Sequence, residues 1–207
     1  QFSRPRTSGL IALELESDNT LVGVALTDGR CDALLMSSSG KAVRFKESDV
    51  RAMGRTARGV RGIRMTGGHK VISLIVPQEQ GYVLTASDRG YGKRTHVDEY
   101  NQQGRYGSGV KTLARNDRLG PLVAMRAIME DDEIMMVTRN GVVLRTGLEN
   151  IRETGRATQG VRVMNLKGND EIVGVAVLKQ SDEVEMVDAN LAEDAGTPEN
   201  VNGSGEG

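Results

Sequence analysis

The strongest constraint on this 207-residue chain is a period of about fifty residues. A glycine followed by an apolar residue recurs as Gly9-Leu10, Gly59-Val60, Gly109-Val110 and Gly160-Val161. Five residues before the last three of these stands a second glycine with an arginine behind it: Gly54-Arg55, Gly104-Arg105 and Gly155-Arg156. Upstream, Gly40, Gly90 and Gly141 keep the same interval, and Arg44, Arg94 and Arg145 follow them by four residues. A unit this short cannot bury its apolar face alone, so the repeats must stack.

Each unit reads as β. Residues 33–37 and 41–45 are short strand patterns flanking a glycine-containing turn at 38–40. Residues 83–86 with 92–95, and 134–137 with 142–145, are their copies. A third strand is expected to alternate Val60, Ile63 and Met65, or Val161, Met164 and Leu166. A fourth spans 71–76, 122–127 and 172–177, with 21–26 as a first partial copy. Its β-branched and small residues suit burial on both faces. The expectation is an all-β, propeller-like array of four-stranded blades: a partial blade at 1–30 and full blades at 31–80, 81–130 and 131–180. The chain opens inside a unit, and closed rings usually need at least four blades. A fragment or an open array is therefore expected.

The net charge of −1 disfavours a polyanion partner only as an average. Residues 181–207 hold eight acids and no Lys or Arg, and read as a disordered acidic tail. The preceding 180 residues carry 27 basic against 20 acidic side chains, a net of +7. That charge is in phase. Arg44, Lys46, Arg58 and Arg61 in one repeat are matched by Lys93, Arg94, Arg105 and Lys111 in the next, and by Arg145, Arg156 and Arg162 in the third. These eleven are the candidate phosphate contacts. Gly54, Gly59, Gly104, Gly109, Gly155 and Gly160 are the candidate turn and phosphate-loop glycines, since consecutive amides in glycine-rich turns form anion-binding nests.

Six aromatics and no Trp cannot supply the stacking platforms of a single-strand binder. Asn or Gln base-reading helices are also missing. Duplex DNA held through its phosphates is the expected ligand. A propeller-like module binding an acidic protein is the alternative from another class. No catalytic constellation stands out: the loop from Gly104 to Lys111 misplaces its lysine for a phosphate loop, and no helix follows it. Asp131, Asp132 and Glu133 fit a solvated turn. Cys31, His69 and His96 are too sparse for a zinc site, and a single cysteine excludes an internal disulfide and fits a reducing cytoplasm. No run of 18 apolar residues suggests a membrane span, and no secretory leader pattern opens the chain.

The run Gly40-Lys-Ala-Val-Arg-Phe-Lys-Glu-Ser-Asp-Val-Arg-Ala-Met-Gly54, with Arg58-Gly-Val-Arg-Gly-Ile-Arg64, resembles the C-terminal, DNA-wrapping domain of the DNA gyrase A protein. Gly90-Tyr-Gly-Lys-Arg-Thr95 and Gly155-Arg-Ala-Thr-Gln-Gly-Val161 resemble later blades of the same domain, and the likeness covers residues 1 to about 180. It implies a six-bladed β-pinwheel whose hairpins reach into neighbouring blades and whose basic rim wraps duplex DNA. It further implies a bacterial, cytoplasmic, nucleoid-associated type II topoisomerase that uses ATP and Mg to introduce negative supercoils. The implied partners are the rest of the gyrase A protein and an ATPase subunit in an A2B2 heterotetramer. No cofactor and no catalytic residue is expected in this chain itself. The related component of topoisomerase IV is the close alternative. The family's signature box, Gln-Arg-Arg-Gly-Gly-x-Gly, has only an echo at Gln103-Gly-Arg-Tyr-Gly-Ser-Gly109, which departs from it at Gly104 and Tyr106. If the eight tail carboxylates compete with DNA for the basic body, truncation after Gln180 should raise duplex affinity in a binding titration. Unchanged or weaker affinity contradicts that role.

Overall fold

A computed structural model describes residues 7–114 and 117–179, so the acidic tail at 181–207 lies outside the described residues. Three hairpins recur at the expected interval. The first is β1 (Asp32–Ser37) with β2 (Lys41–Lys46), followed by β3 (Val71–Ile75). The second is β4 (Tyr82–Ser87) with β5 (Tyr91–His96), followed by the two-residue strand β6 (Val110–Lys111) and by β7 (Leu122–Ile128). The third is β8 (Glu133–Thr138) with β9 (Val143–Gly147), followed by β10 (Val161–Arg162) and β11 (Ile172–Leu178). A 3₁₀ turn ends each hairpin, at Glu47–Asp49, Val97–Glu99 and Leu148–Asn150. No helix among the described residues is long and apolar enough to cross a membrane.

The sheets are antiparallel, ordered β3-β1-β2-β6, β10-β5-β4-β7 and β11-β8-β9. The fourth strand of a blade therefore comes from the next repeat. Lys111 and Val110 pair with Lys41 and Ala42, while Arg162 and Val161 pair with Tyr91 and Gly92. The crossing chain continues along the same edge: Gln103 N–H donates to Arg44 O at 2.7 Å, and Thr154 N–H donates to Arg94 O at 3.0 Å. Residues expected as each unit's own third strand thus close the neighbouring blade.

Val60, Ile63 and Met65 do not form that strand. Ile63 makes one isolated parallel bridge, to Gly107, and packs against Val43 and Phe45. Nor do residues 21–26 form their expected strand, and Leu21, Val24 and Leu26 are exposed. The cause is the same in both places: a strand needs a neighbouring edge, and among the described residues no hairpin precedes β1. In the third repeat the alternation through Met164 and Leu166 shortens to Val161–Arg162.

Between the first two sheets lie Leu34, Met36, Ile75, Val83, Leu113, Leu119, Leu122 and Met125. Between the second and third lie Leu84, Ala86, Ala124, Ile128, Ile134, Met136, Ile172 and Val175. Val83 and Leu84 face opposite cores because successive strand residues alternate sides, so β4 is buried on both faces. Burial on both faces, expected of the fourth strands, fails for β11, where Val173 is 52% exposed because no further blade covers it among the described residues. β3 packs beside β7 and β7 beside β11. These strands line one side of the array, and β6 and β10 form its opposite edge.

The in-phase glycine before each crossing strand has a steric cause. Gly109 and Gly160 hold φ of +75° and +78°, where an L side chain is strained. A Cβ would also stand 2.8 Å from Ala42 O and 2.5 Å from Gly92 O, inside the backbone of the blade being closed. Gly155→Ala meets nothing within 4 Å and requires no left-handed φ. In thermal melts followed by circular dichroism, Gly160→Ala should cost more than about 2 kcal/mol and lower Tm by roughly 5 °C or more. Gly155→Ala should stay within about 1 °C of the parent. Equal effects would contradict the close approach.

Candidate nucleic-acid interface

The in-phase basic residues divide into three sets, two of which are engaged by acids or carbonyls of the protein itself. Arg44, Arg94 and Arg145 each meet an acid. Arg44 Nε lies 2.7 Å from Asp32 Oδ2, and its Nη1 donates to Val97 O and Tyr100 O of the next repeat. Arg145 Nε donates to Glu133 Oε2 at 2.5 Å. In the second blade Tyr82 occupies the place of Asp32 and Glu133, and Arg94 instead stacks on its ring, 5.0 Å from the centroid. Arg94 Nη1 also reaches both oxygens of Glu130 at 2.9 and 2.8 Å, which pulls that carboxyl below its ordinary range.

The Gly-Arg set fastens repeats together. Arg105 Nε donates to Asp49 O at 3.2 Å and its Nη1 to Arg61 O at 2.6 Å. One repeat on, Arg156 Nε donates to Glu99 O at 3.0 Å and its Nη1 to Lys111 O. Each arginine thus ties the 3₁₀ turn of one repeat to the residue that follows a Gly-Val pair. Arg55 Nη1 likewise donates to Ile11 O at 3.1 Å. A guanidinium fork suits this work, since two separate nitrogens reach the two carbonyls.

Lys93 is fully buried, not at the surface where the charge pattern puts it. Its Nζ donates to Gly155 O at 2.8 Å, Arg156 O at 2.5 Å and Thr158 Oγ1 at 3.3 Å. The same in-phase position is Val43 in the first repeat and Leu144 in the third, so the position is otherwise apolar. Burial, and to a lesser degree the nearby Arg156 charge, lowers the lysine pKa to about 8.

The third set stays outside. Arg61, Lys111 and Arg162, each two residues after the in-phase glycine, are exposed. Arg61 lies over the Tyr106 ring, 5.7 Å from its centroid. Lys111 stands directly across the outermost strand pair from Lys41, also exposed, and neither makes an ion pair among the described residues. Like charges opposed across a ladder repel. At the same register of the second blade, Arg162 stands across from Tyr91, whose hydroxyl also binds Arg118. Lys46 is exposed, and Arg58 is exposed with only Glu14 3.6 Å away. Lys41 and Arg118 are absent from the sequence-derived set. Lys41 directly follows a turn glycine, a signal available in the sequence, whereas Arg118 is placed by tertiary structure alone. Asp28, Cys31 and Glu47 gather within 4.8 Å, but Asp28 Oδ1 accepts the Cys31 thiol proton and raises its pKa, opposing thiolate ligation.

A family model described as DNA gyrase C-terminal domain, beta-propeller, matches residues 32–78, 81–128 and 132–179. The chain belongs to the DNA gyrase C-terminal domain family. Its repeats are the family's β-pinwheel blades, and the strand crossing through β6 and β10 is the blade-to-blade reach that the resemblance implies. The DNA gyrase A protein of Pseudomonas aeruginosa is 46% identical over 175 residues, covering 84% of this chain and 19% of that protein. The gyrase A protein of Escherichia coli K12 is 42% identical over 196 residues, 93% of this chain and 22% of that protein. The chain thus spans about a fifth of the length of these curated relatives. A solved gyrase A C-terminal domain superposes with TM-score 0.77 at 27% identity, over 83% of this chain and 59% of that one. A solved topoisomerase IV C-terminal domain gives 0.84 at 24% identity, over 94% and 61%, which shows the shared fold.

Lys93 generates a signed pH prediction. Its folded pKa of about 8 lies below the ordinary lysine value of 10.5, so below pH 8 the buried charge costs on the order of 3 kcal/mol. That cost is relieved as pH rises through 8 toward 10.5, because the unfolded chain there binds more protons. The parent's Tm should therefore rise relative to that of Lys93→Met between pH 8 and 10. A constant difference across that window would contradict the assignment.

Proposed function

We propose that this chain binds and wraps duplex DNA as a segment of a bacterial gyrase A protein. The parent is then a type II topoisomerase that introduces negative supercoils, with ATP hydrolysis on a separate ATPase subunit in an A2B2 assembly. The setting is the cytoplasm, at the nucleoid. In this reading the chain contributes DNA capture and geometry, and no bond-breaking group. Membership of the gyrase C-terminal domain family supports it, as does identity to proteins named gyrase A.

The observation that carries the reading is the charge on the outermost strands. Lys41 opposes Lys111 on one blade, and Arg162 with Arg118 occupies the equivalent edge of the next. Self-repelling cations at a repeated register are stabilised by a polyanion with its own regular charge spacing, which a duplex backbone supplies. Arg61, Lys46 and Arg58 extend the set, whereas Arg44, Lys93, Arg94, Arg105, Arg145 and Arg156 hold the blades in position. Gly109 and Gly160 act through strand approach.

About six phosphates are then neutralised, and log K against log salt should fall with a slope of about −5. Fluorescence anisotropy of a labelled duplex across a salt series measures it. A flat dependence, or no binding at low salt, contradicts the proposal. Excess duplex should also displace any acidic protein from the same edge, which separates this reading from a protein-interaction module.

A further inference from the structure

Two exposed arginines from different repeats converge on one buried phenol. Arg118 Nε donates to Tyr91 Oη at 2.8 Å, and Arg162 Nη2 donates to the same oxygen at 3.0 Å. Their guanidinium carbons lie 5.3 and 5.1 Å from the ring centroid. Tyr91 is only 6% exposed, so the ring is a fixed platform, while both arginines reach solvent. Among the described residues, neither guanidinium has a carboxylate within 4 Å. Arg44, Arg94, Arg105 and Arg156, by contrast, each have a carboxylate or a carbonyl as acceptor.

The hydrogen-bonding capacity of the phenol is decisive. A tyrosine oxygen offers two lone pairs and one proton. Both lone pairs here accept from guanidinium groups, so the O–H is left to donate, and no acceptor for it lies among the described residues. Three kinds of donor are therefore left around Tyr91 Oη: the phenol O–H and the remaining N–H groups of Arg118 and Arg162. A tetrahedral oxyanion satisfies all three and neutralises the paired cations.

We propose that Tyr91, Arg118 and Arg162 form a binding site for one phosphate group, filled in function by a single phosphodiester of the duplex. This rests on the DNA-binding reading above and adds a defined subsite to it. The site belongs to the second blade, because the register position of Tyr91 is Lys41 in the first repeat and Val142 in the third. It also spans the strand crossing, since Arg162 reaches Tyr91 only when β10 is docked on β5.

The test uses the whole 207-residue chain and the labelled duplex. Arg118→Gln should weaken binding about five- to tenfold and make the salt slope shallower by about one unit, the loss of one phosphate contact. Tyr91→Phe should weaken binding several-fold at unchanged slope, because it removes a donor and no charge. Arg139→Gln, at an exposed cation already paired with Glu171, is the charge control and should change little. Thermal melts of each variant exclude misfolding. If the parent binds duplex and both Arg118→Gln and Tyr91→Phe match it in affinity and slope, the site is wrong while the broader reading stands. If the parent ignores duplex, that reading fails, and inorganic phosphate decides the site alone. A saturable shift of the Tyr91 ring resonance in NMR, lost in Arg118→Gln, upholds it, and no shift overturns it.

Discussion

Everything in this fold depends on a backbone ladder between repeats. Val110–Lys111 and Val161–Arg162 give up pairing within their own unit and close the hairpin of the unit before. The crossing satisfies the N–H and C=O groups of β2 and β5, which would otherwise stand open at the sheet edge. It fixes the in-phase glycine, because the chain passes within contact distance of Ala42 O and Gly92 O. It also sets the spacing of the outer edge. In the second and third repeats the side chain two residues past that glycine, Lys111 or Arg162, lies on the rim of the preceding blade.

The same crossing explains how a repeat dense in arginine avoids self-repulsion. Arg105 and Arg156 bind carbonyls on both sides of the junction, so they act as fasteners. Arg44, Arg94 and Arg145 pair with acids at or beyond the start of their hairpins. Lys93 caps the carbonyls of an incoming loop from a position that is apolar in its counterparts Val43 and Leu144. Of the in-phase charge left over, Lys111 and Arg162 lie on the outermost strands, while Lys46, Arg58 and Arg61 are exposed elsewhere. In the proposed reading a polyanion meets an edge whose geometry is already fixed by the rest of the basic side chains, which is preorganisation in the ordinary sense.

Hairpins were legible in the sequence because their signals are local: alternation on either side of a turn glycine fixes strand, turn and register together. The partner of the third strand was not. Gly59-Val60-Arg61 and Gly160-Val161-Arg162 have the same local pattern, yet only the second forms a strand, because a receiving edge is a non-local condition. The site was legible to the same degree. Periodicity singled out Arg61, Lys111 and Arg162, all exposed and the last two on outermost strands, but a periodic arginine looks alike whether it faces solvent or a carbonyl. Arg105, Arg156 and Arg94 fell on the inner side of that ambiguity. Lys93 carried a usable warning, since its in-phase counterparts are both apolar. Arg118 carried none: nothing in sequence spacing brings it to Tyr91.

The central claim is that duplex DNA lies along the edge formed by the crossing strands. Hydrogen exchange of the chain with and without bound duplex addresses it most directly, since it reads each segment of backbone separately. The account predicts added protection at residues 41–42, 91–92, 110–111 and 161–162 and none along β3, β7 and β11. Protection concentrated on β3, β7 and β11, with the crossing strands unchanged, would contradict it.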